Sequence, residues 1–127
     1  MDSKAEVVSK FWRLFDEARF DDVADLLRPD CNVYWPNTHE LFKGSQKLIN
    51  MNKRYPGRWH IDIVDIITSD DLVVSVVRVY SEESEHSFYA ASFFRFEKGL
   101  IAEITEYWGN ITEPPAWRTA EGFSQRY

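Results

Sequence analysis

Early in the chain, Val8, Phe11, Trp12 and Phe15 recur at three- and four-residue steps, the spacing of one face of an α-helix. Ser3 and Glu6 just before them have capping-box spacing, so a first amphipathic helix is predicted to begin there. After RFDD, the segment VADLL reads as a short second helix that Pro29 stops, because proline disfavours helix in the residue before it. CNVYWP then looks extended. PNTHELFKG reads as a loop, and SQKLINMNKRY as a third helix capped by Ser45 and ending before Pro56 and Gly57. Beyond that point the period changes to two. Four strands are predicted over WHIDIVDIIT, LVVSVVRVY, SFYAASFFRFE and LIAEITEYW, joined by SDD, SEESEH and KG. Helices first and an antiparallel meander after them predict an α+β fold with the helices gathered on one face of a curved sheet. The whole of residues 1–127 is read as one domain, and 109–127, with its two adjacent prolines and weak periodicity, as an arm packed by Trp117 and Phe123.

The last strand holds an anomaly. Side chains alternate across a strand, so Leu100, Ala102, Ile104, Glu106 and Trp108 share one face, opposite Ile101, Glu103, Thr105 and Tyr107. If the Leu–Ala–Ile–Trp face is buried, Glu106 is a carboxylate among apolar groups, which is costly unless it is paired or neutral. Such burial raises a carboxyl pKa toward neutrality, where proton transfer works best. Glu106 is therefore the catalytic candidate, weighed against a glutamate that reaches past Trp108 to solvent or into a subunit contact.

Composition narrows the chemistry. The 127 residues are 44% apolar and 16% aromatic, enough for one ordinary core. The net charge is −6, with 15 basic and 21 acidic residues and no basic run, so no nucleic-acid partner is expected. A single cysteine, Cys31, allows no internal disulfide and fits a reducing compartment; with no signal-peptide pattern and no long apolar run, the expectation is a cytoplasmic protein without a membrane partner. The scattered histidines make no ligand spacing and no GxSxG elbow exists, so neither a metal site, a cofactor nor a serine nucleophile is expected.

The segments FWRLFDEARFDDVADLLRPDCNVYWP, FKG before the third helix and FFRFEKGLIAEITEYW, in that order, resemble the SnoaL-like, ketosteroid-isomerase-like group of the nuclear transport factor 2-like superfamily. WPNTHELFKG, YPGRW and EYWGNITEPPAWR are similar to an orphan branch of it. The resemblance spans nearly the whole chain. It implies a cone-shaped curved antiparallel sheet packed with three N-terminal helices, a barrel-like pocket for a small molecule, and often a homodimer. It does not by itself assign chemistry, since one fold hosts many functions.

Carried over residue by residue, the resemblance places Trp35, Phe11 and Ser92 where the steroid isomerases have their general-base aspartate, oxyanion tyrosine and protonated aspartate, so that route is absent. The polyketide cyclases of the group have an acid/base aspartate seven residues after the glycine of the hairpin before the last strand. Counting from Gly99 gives Glu106, one methylene longer, while the cyclase histidine again falls on Ser92.

Around Glu106 the candidate ligand-binding residues are Trp35, Asn37, His39, Tyr55, Arg78, Tyr80, Ser92 and Trp108. Trp35 and Tyr55 are equally readable as core, Asn37 as an Asx-turn and His39 as a solvated loop histidine. In LVVSVVRVY both faces are largely apolar. Arg78 and Tyr80 thus line the cone and reach Glu106, or face water, according to which face is inside. Tyr89, Ala91 and Phe93, with Thr105 and Tyr107, form an aromatic outer face expected to pair two copies sheet to sheet. The functional expectation is a small-molecule pocket protein acting by acid/base chemistry of isomerase, cyclase or dehydratase type on an apolar or aromatic carbonyl compound. The alternatives are a non-catalytic binder of a small apolar or aromatic ligand and a protein-interaction module.

Overall fold

The computed structural model describes residues 2–127. Helix α1, Lys4–Asp16, starts as its sequence dictates: the Glu6 N–H donates to Ser3 Oγ at 3.2 Å and the Ser3 N–H donates back to Glu6 Oε1 at 3.2 Å. These bonds satisfy two of the helix's orphan donors and hold the Glu6 carboxyl below its usual range. Its inward face, Val8, Phe11, Trp12 and Phe15 with Val7 and Leu14, is buried.

A 3₁₀ turn at Phe20–Leu26 is followed directly by β1, Leu27–Trp35, then β2, Glu40–Lys43, and α2, Ser45–Arg54. Ser45 is not the cap of α2. That place is Gly44, whose φ of 90° an L side chain rarely adopts and whose missing Cβ leaves room for the Pro29 carbonyl. The stretch read as a loop, PNTHELFKG, is a hairpin, with Trp35 opposite Glu40 and Val33 opposite Phe42.

The remaining strands are β3, Trp59–Ser69, β4, Leu72–Ser81, β5, Ser87–Glu97, and β6, Leu100–Asn110, before a five-residue helix α3 at Ala116–Ala120. The β5–β6 turn needs two left-handed residues, Lys98 at φ 53° and Gly99 at φ 82°, the pattern that matches the twist of a two-residue hairpin. The sheet runs β2-β1-β6-β5-β4-β3. Antiparallel pairing holds throughout except between β1 and β6, which are parallel. The sheet is curved but open, with β2 and β3 as free edges, so the barrel implied by the resemblance is not closed.

Bulges supply the curvature. The β1–β6 register slips between Leu27 and Asn32, around Pro29, which has no N–H to give to the ladder. β3 slips at Val64 and β6 at Ala102. The bulge in β6 corrects the simple alternation: Ile101 and Ile104 are both buried, so Leu100 and Ala102 leave the face that Ile104, Glu106 and Trp108 share.

The inner face of the sheet meets α1 through Val73, Val77, Phe94, Ile101 and Ile104, all fully buried. Phe94 contacts Phe11 edge-on at 5.1 Å and Trp12 at 6.0 Å between ring centroids. Ser75 Oγ, on the same face, accepts the Trp12 indole N–H at 3.0 Å. The arm is not packed as expected. Trp117 and Phe123 touch each other at 6.2 Å but remain 55% and 73% exposed. No helix among the described residues is long and apolar enough to cross a membrane.

Two outcomes follow from this packing. Ser75→Ala strands the buried Trp12 donor and should cost about 1–3 kcal/mol, read as a lower urea midpoint at unchanged slope; an unmoved midpoint would discount the bond. His60 Nε2 lies 2.7 Å from Glu82 Oε1 and Nδ1 lies 3.4 Å from Asp16 Oδ1, and the Glu82 bond chiefly raises the imidazole above its ordinary 6.5. Its stabilisation is complete below that ordinary value and disappears as pH climbs through the raised folded value. The melting temperature should fall across that window in the wild type and less so in His60→Gln.

Candidate functional site

Between the inner face of the sheet, α1 and α2 lies a cavity of about 310 Å³, near the lower end of the roughly 300–1,000 Å³ usual for ligand sites. Its buried lining comes from Phe11, Trp12, Leu48, Val79 and Ala90, and its more open side from Tyr55, Gly57, Arg58, His86 and Asn110. Trp35, Trp59, Phe88 and Trp108 complete walls that are mostly aromatic.

Glu106 is the carboxyl that lines this space, and it is only 9% exposed. The register explains its neighbours. β5 and β6 pair Ser92 with Glu106, so both point inward, and Ser92 Oγ donates to Glu106 Oε2 at 2.8 Å. Trp35, at the end of β1, donates its indole N–H to Glu106 Oε1 at 3.0 Å. Burial pushes the Glu106 carboxyl above its usual range, and the two donated bonds pull it part of the way back. The result is a buried carboxyl, met by two neutral donors, in the wall of an aromatic chamber. Ser92 sits behind it, fully buried and not itself part of the wall.

Trp108, two residues on, packs edge-to-face with Trp35 at 6.3 Å and near Phe88 at 6.4 Å between centroids. Its Nε1 is buried with no acceptor, the one such side-chain atom among the described residues. Asn37 holds Trp108 by its backbone, donating from Nδ2 to the Trp108 carbonyl at 2.7 Å and accepting the Trp108 N–H at 3.2 Å.

The structure thus brings Trp35, Tyr55, Glu106 and Trp108 to the cavity wall, with Ser92 directly behind. Four of the expected ligand-binding residues are elsewhere. Asn37 is a clasp between β1 and β6 in place of an Asx-turn or a ligand contact. His39 is exposed at φ 55° in the β1–β2 turn, which carries it away from the cavity. Arg78 and Tyr80 lie on the outer face, because Val73, Ser75, Val77 and Val79 take the inner one. Arg78 Nη2 donates to Asp62 Oδ2 at 2.9 Å, and the guanidinium stacks 4.4 Å from the Tyr80 ring. Arg78 therefore does not reach Glu106.

Trp59, Phe88, His86 and Arg58 were missed. His86 packs against Trp59 at 5.9 Å and Phe88 at 6.2 Å, which makes it part of the rim. Its signal was parity: His86, Phe88, Ala90 and Ser92 are two apart, so extending the inner face of β5 backwards into the acidic turn reaches it. Among the described residues no group of three or more His, Cys, Asp or Glu side chains gathers as a metal site would require.

Solved structures share this architecture at low sequence identity. A candidate ketosteroid isomerase of Kribbella flavida superposes with a TM-score of 0.84 at 21% identity, covering 97% of this chain and 88% of that one. A candidate SnoaL-like polyketide cyclase of Shewanella putrefaciens gives 0.73 at 12% identity, covering 85% and 90%. A protein of Catenulispora acidiphila with a ketosteroid isomerase-like fold, in complex with trimethylamine, gives 0.69 at 13% identity, covering 83% and 86%. No curated protein sequence matches significantly. The SnoaL-like domain family matches residues 8–104, ending two positions before Glu106. The chain belongs to the SnoaL-like domain family.

Proposed function

We propose that the aromatic cavity is a small-molecule chamber and that Glu106 is its proton-transfer group, in acid/base chemistry of isomerase, cyclase or dehydratase type on an apolar or aromatic carbonyl compound. The observation that carries this reading is a carboxyl in the cavity wall whose side-chain bonds both come from neutral donors, Trp35 and Ser92. Among the described residues no cation forms an ion pair with it, and Arg78 is paired with Asp62 on the other face. A carboxyl that burial raises above its usual range suits a group that both takes and returns a proton. Trp35 and Ser92 are positioning residues: one fixes each oxygen. An acceptor on the ligand, such as a carbonyl oxygen, would satisfy the unpaired Trp108 N–H once the indole turns toward it. The trimethylamine-bound neighbour supports the use of this fold as a ligand chamber.

The test is exchange of the α-protons of a cyclic aryl ketone such as 2-tetralone with D₂O, followed by NMR. Glu106→Gln should lower the enzymatic rate by about 10²-fold or more while the far-UV spectrum stays unchanged. Exchange that persists in the variant would remove Glu106 from the chemistry. A ketone that binds the wild type without exchange would favour the non-catalytic binder. The same variant bears on stability. A carboxyl raised on folding binds more protons in the native state, so stability declines as pH climbs from the ordinary 4.5 through the raised value. The wild type should show that decline as pH rises above 4.5, and Glu106→Gln should flatten it.

Assembly is a second reading, carried by the outer face. Tyr89 and Tyr107 are 48% and 49% exposed, and Phe93 packs edge-on against Tyr107 at 5.9 Å. We propose that Tyr89, Ala91, Phe93, Thr105 and Tyr107 form the contact of a two-fold homodimer. Light scattering at micromolar concentration should give twice the 15.0 kDa chain mass, and Tyr107→Lys should halve it; a wild-type monomer would sink the idea. Cys31 is fully buried and its thiol is pushed up to about 12 by burial and the nearby Asp30 and Glu103, so it is unreactive. A single inert thiol accords with the cytoplasm, where we place the protein.

A further inference from the structure

The charged groups of the cavity are divided between its wall and its rim. Lys53 and Arg58 are the lysine and arginine of its lining. Lys53 Nζ is already paired with Asp21 at 3.1 and 3.3 Å. Arg58 is not: among the described residues no carboxylate lies within ion-pair distance of its guanidinium, which donates only to the backbone carbonyls of Asp16 and Trp59. Glu83 accepts the Arg58 backbone N–H at 2.8 and 3.1 Å and feels the Arg58 charge, but it makes no bond to the guanidinium. Arg58 is half-buried in the turn between α2 and β3, among the open rim residues Tyr55, Gly57 and His86. A guanidinium has five N–H donors and stays charged at every physiological pH. Two carbonyls leave donors to spare, and no carboxylate among the described residues is bonded to the fork.

From this geometry we infer that the ligand is an amphipathic acid, with an apolar or aromatic body against Trp35, Trp108 and Glu106 and a carboxylate at the rim on Arg58. The inference rests on the chamber reading and adds the ligand's charge and direction to it. A bidentate carboxylate matches the guanidinium fork, and a half-buried charge pair of this kind is stronger than one in open water. A carboxylate at the rim also keeps the anionic end away from the Glu106 carboxyl, so the reacting carbon of an acid that bears a second, carbonyl function would lie on the apolar side. A cationic ligand is disfavoured on the same grounds: it would enter past an unpaired guanidinium toward a carboxyl that burial holds toward its neutral form.

Four of the five tryptophans, Trp12, Trp35, Trp59 and Trp108, line the cavity, so intrinsic fluorescence reports its occupation. Three probes of one shape separate the possibilities: 4-phenylbutanoate, 4-phenylbutanamide and 4-phenylbutylamine. The acid should bind roughly tenfold tighter than the amide or better, and the amine more weakly than both. The acid's advantage should shrink as salt rises from 20 to ~500 mM, following Debye screening, while amide binding stays level. Arg58→Gln should erase the preference and Arg58→Lys should retain part of it. The salt series on the wild-type protein needs no variant, so it stands even if Arg58→Gln fails to fold through loss of its bonds to Asp16 and Trp59. Amide or amine binding as tight as the acid would overturn the inference and leave the chamber intact. Silence from all three probes would overturn the chamber reading and the inference with it.

Discussion

Everything that distinguishes this molecule from an ordinary helix-on-sheet domain depends on one buried carboxyl and the two donors that meet it. Glu106 on β6 receives one hydrogen bond from Trp35 on β1 and one from Ser92 on β5. A carboxyl moved out of water without partners would be driven to protonate fully or to pull the strand outward. Two neutral donors compensate part of that cost and no more, which leaves the group raised but titratable. A cation in the same place would have lowered it and fixed it as a carboxylate. The clasp is therefore a tie between three adjacent strands, and its donors are neutral.

The sheet is built to keep that clasp at the edge of the core instead of its centre. Toward one end, Ser75 is consumed by Trp12, and Phe94, Phe11 and Ile104 close the interior. Toward the other, the side chains widen into an aromatic wall with water access at the rim, where Tyr55, Trp59, His86 and Phe88 meet. Two asparagine hydrogen bonds hold Trp108 by its backbone while leaving its indole N–H unpaired. Unpaired buried donors are rare because they cost stability, and they concentrate where a ligand supplies the missing partner. The charge at the rim has a similar character: Arg58 is anchored by carbonyls, and among the described residues no carboxylate bonds its guanidinium. The site is thus polar at three separated points within apolar surroundings, the composition expected of a small-molecule pocket.

Much of the architecture was readable because local rules and tertiary demands agree. The α1 cap, the helical stripe of Phe11, Trp12 and Phe15, and the change from period 3.6 to period 2 after Gly57 each depend on neighbours a few residues away. Parity put Glu106 on one face with Ile104 and Trp108, and that holds because the bulge in β6 lies upstream at Ala102 and leaves 104, 106 and 108 in step; burial makes that face the inner one. The same bulge defeats the reading at Leu100 and Ala102. β2 went unseen because it is four residues long and pairs only with β1, so nothing in PNTHELFKG itself announces a strand. Arg78 was undecidable in sequence since both faces of β4 are apolar. Only the packing of α1 against Val73 and Val77 gives that strand an inside.

The sequence by itself determined the α+β class, α1, the four late strands and the face that Ile104, Glu106 and Trp108 share, because these rest on periodicity and short-range spacing; the family resemblance rests on motifs in order along the chain. The tertiary structure decided what surrounds that carboxyl. Trp35 is 71 positions from it and Ser92 is 14, and no local rule says that an indole rather than an arginine will reach it. The open sheet, the parallel junction of β1 with β6 and the gathering of His86, Arg58 and Trp59 at one rim likewise arise from contacts between distant segments, which burial selects jointly and no single segment encodes.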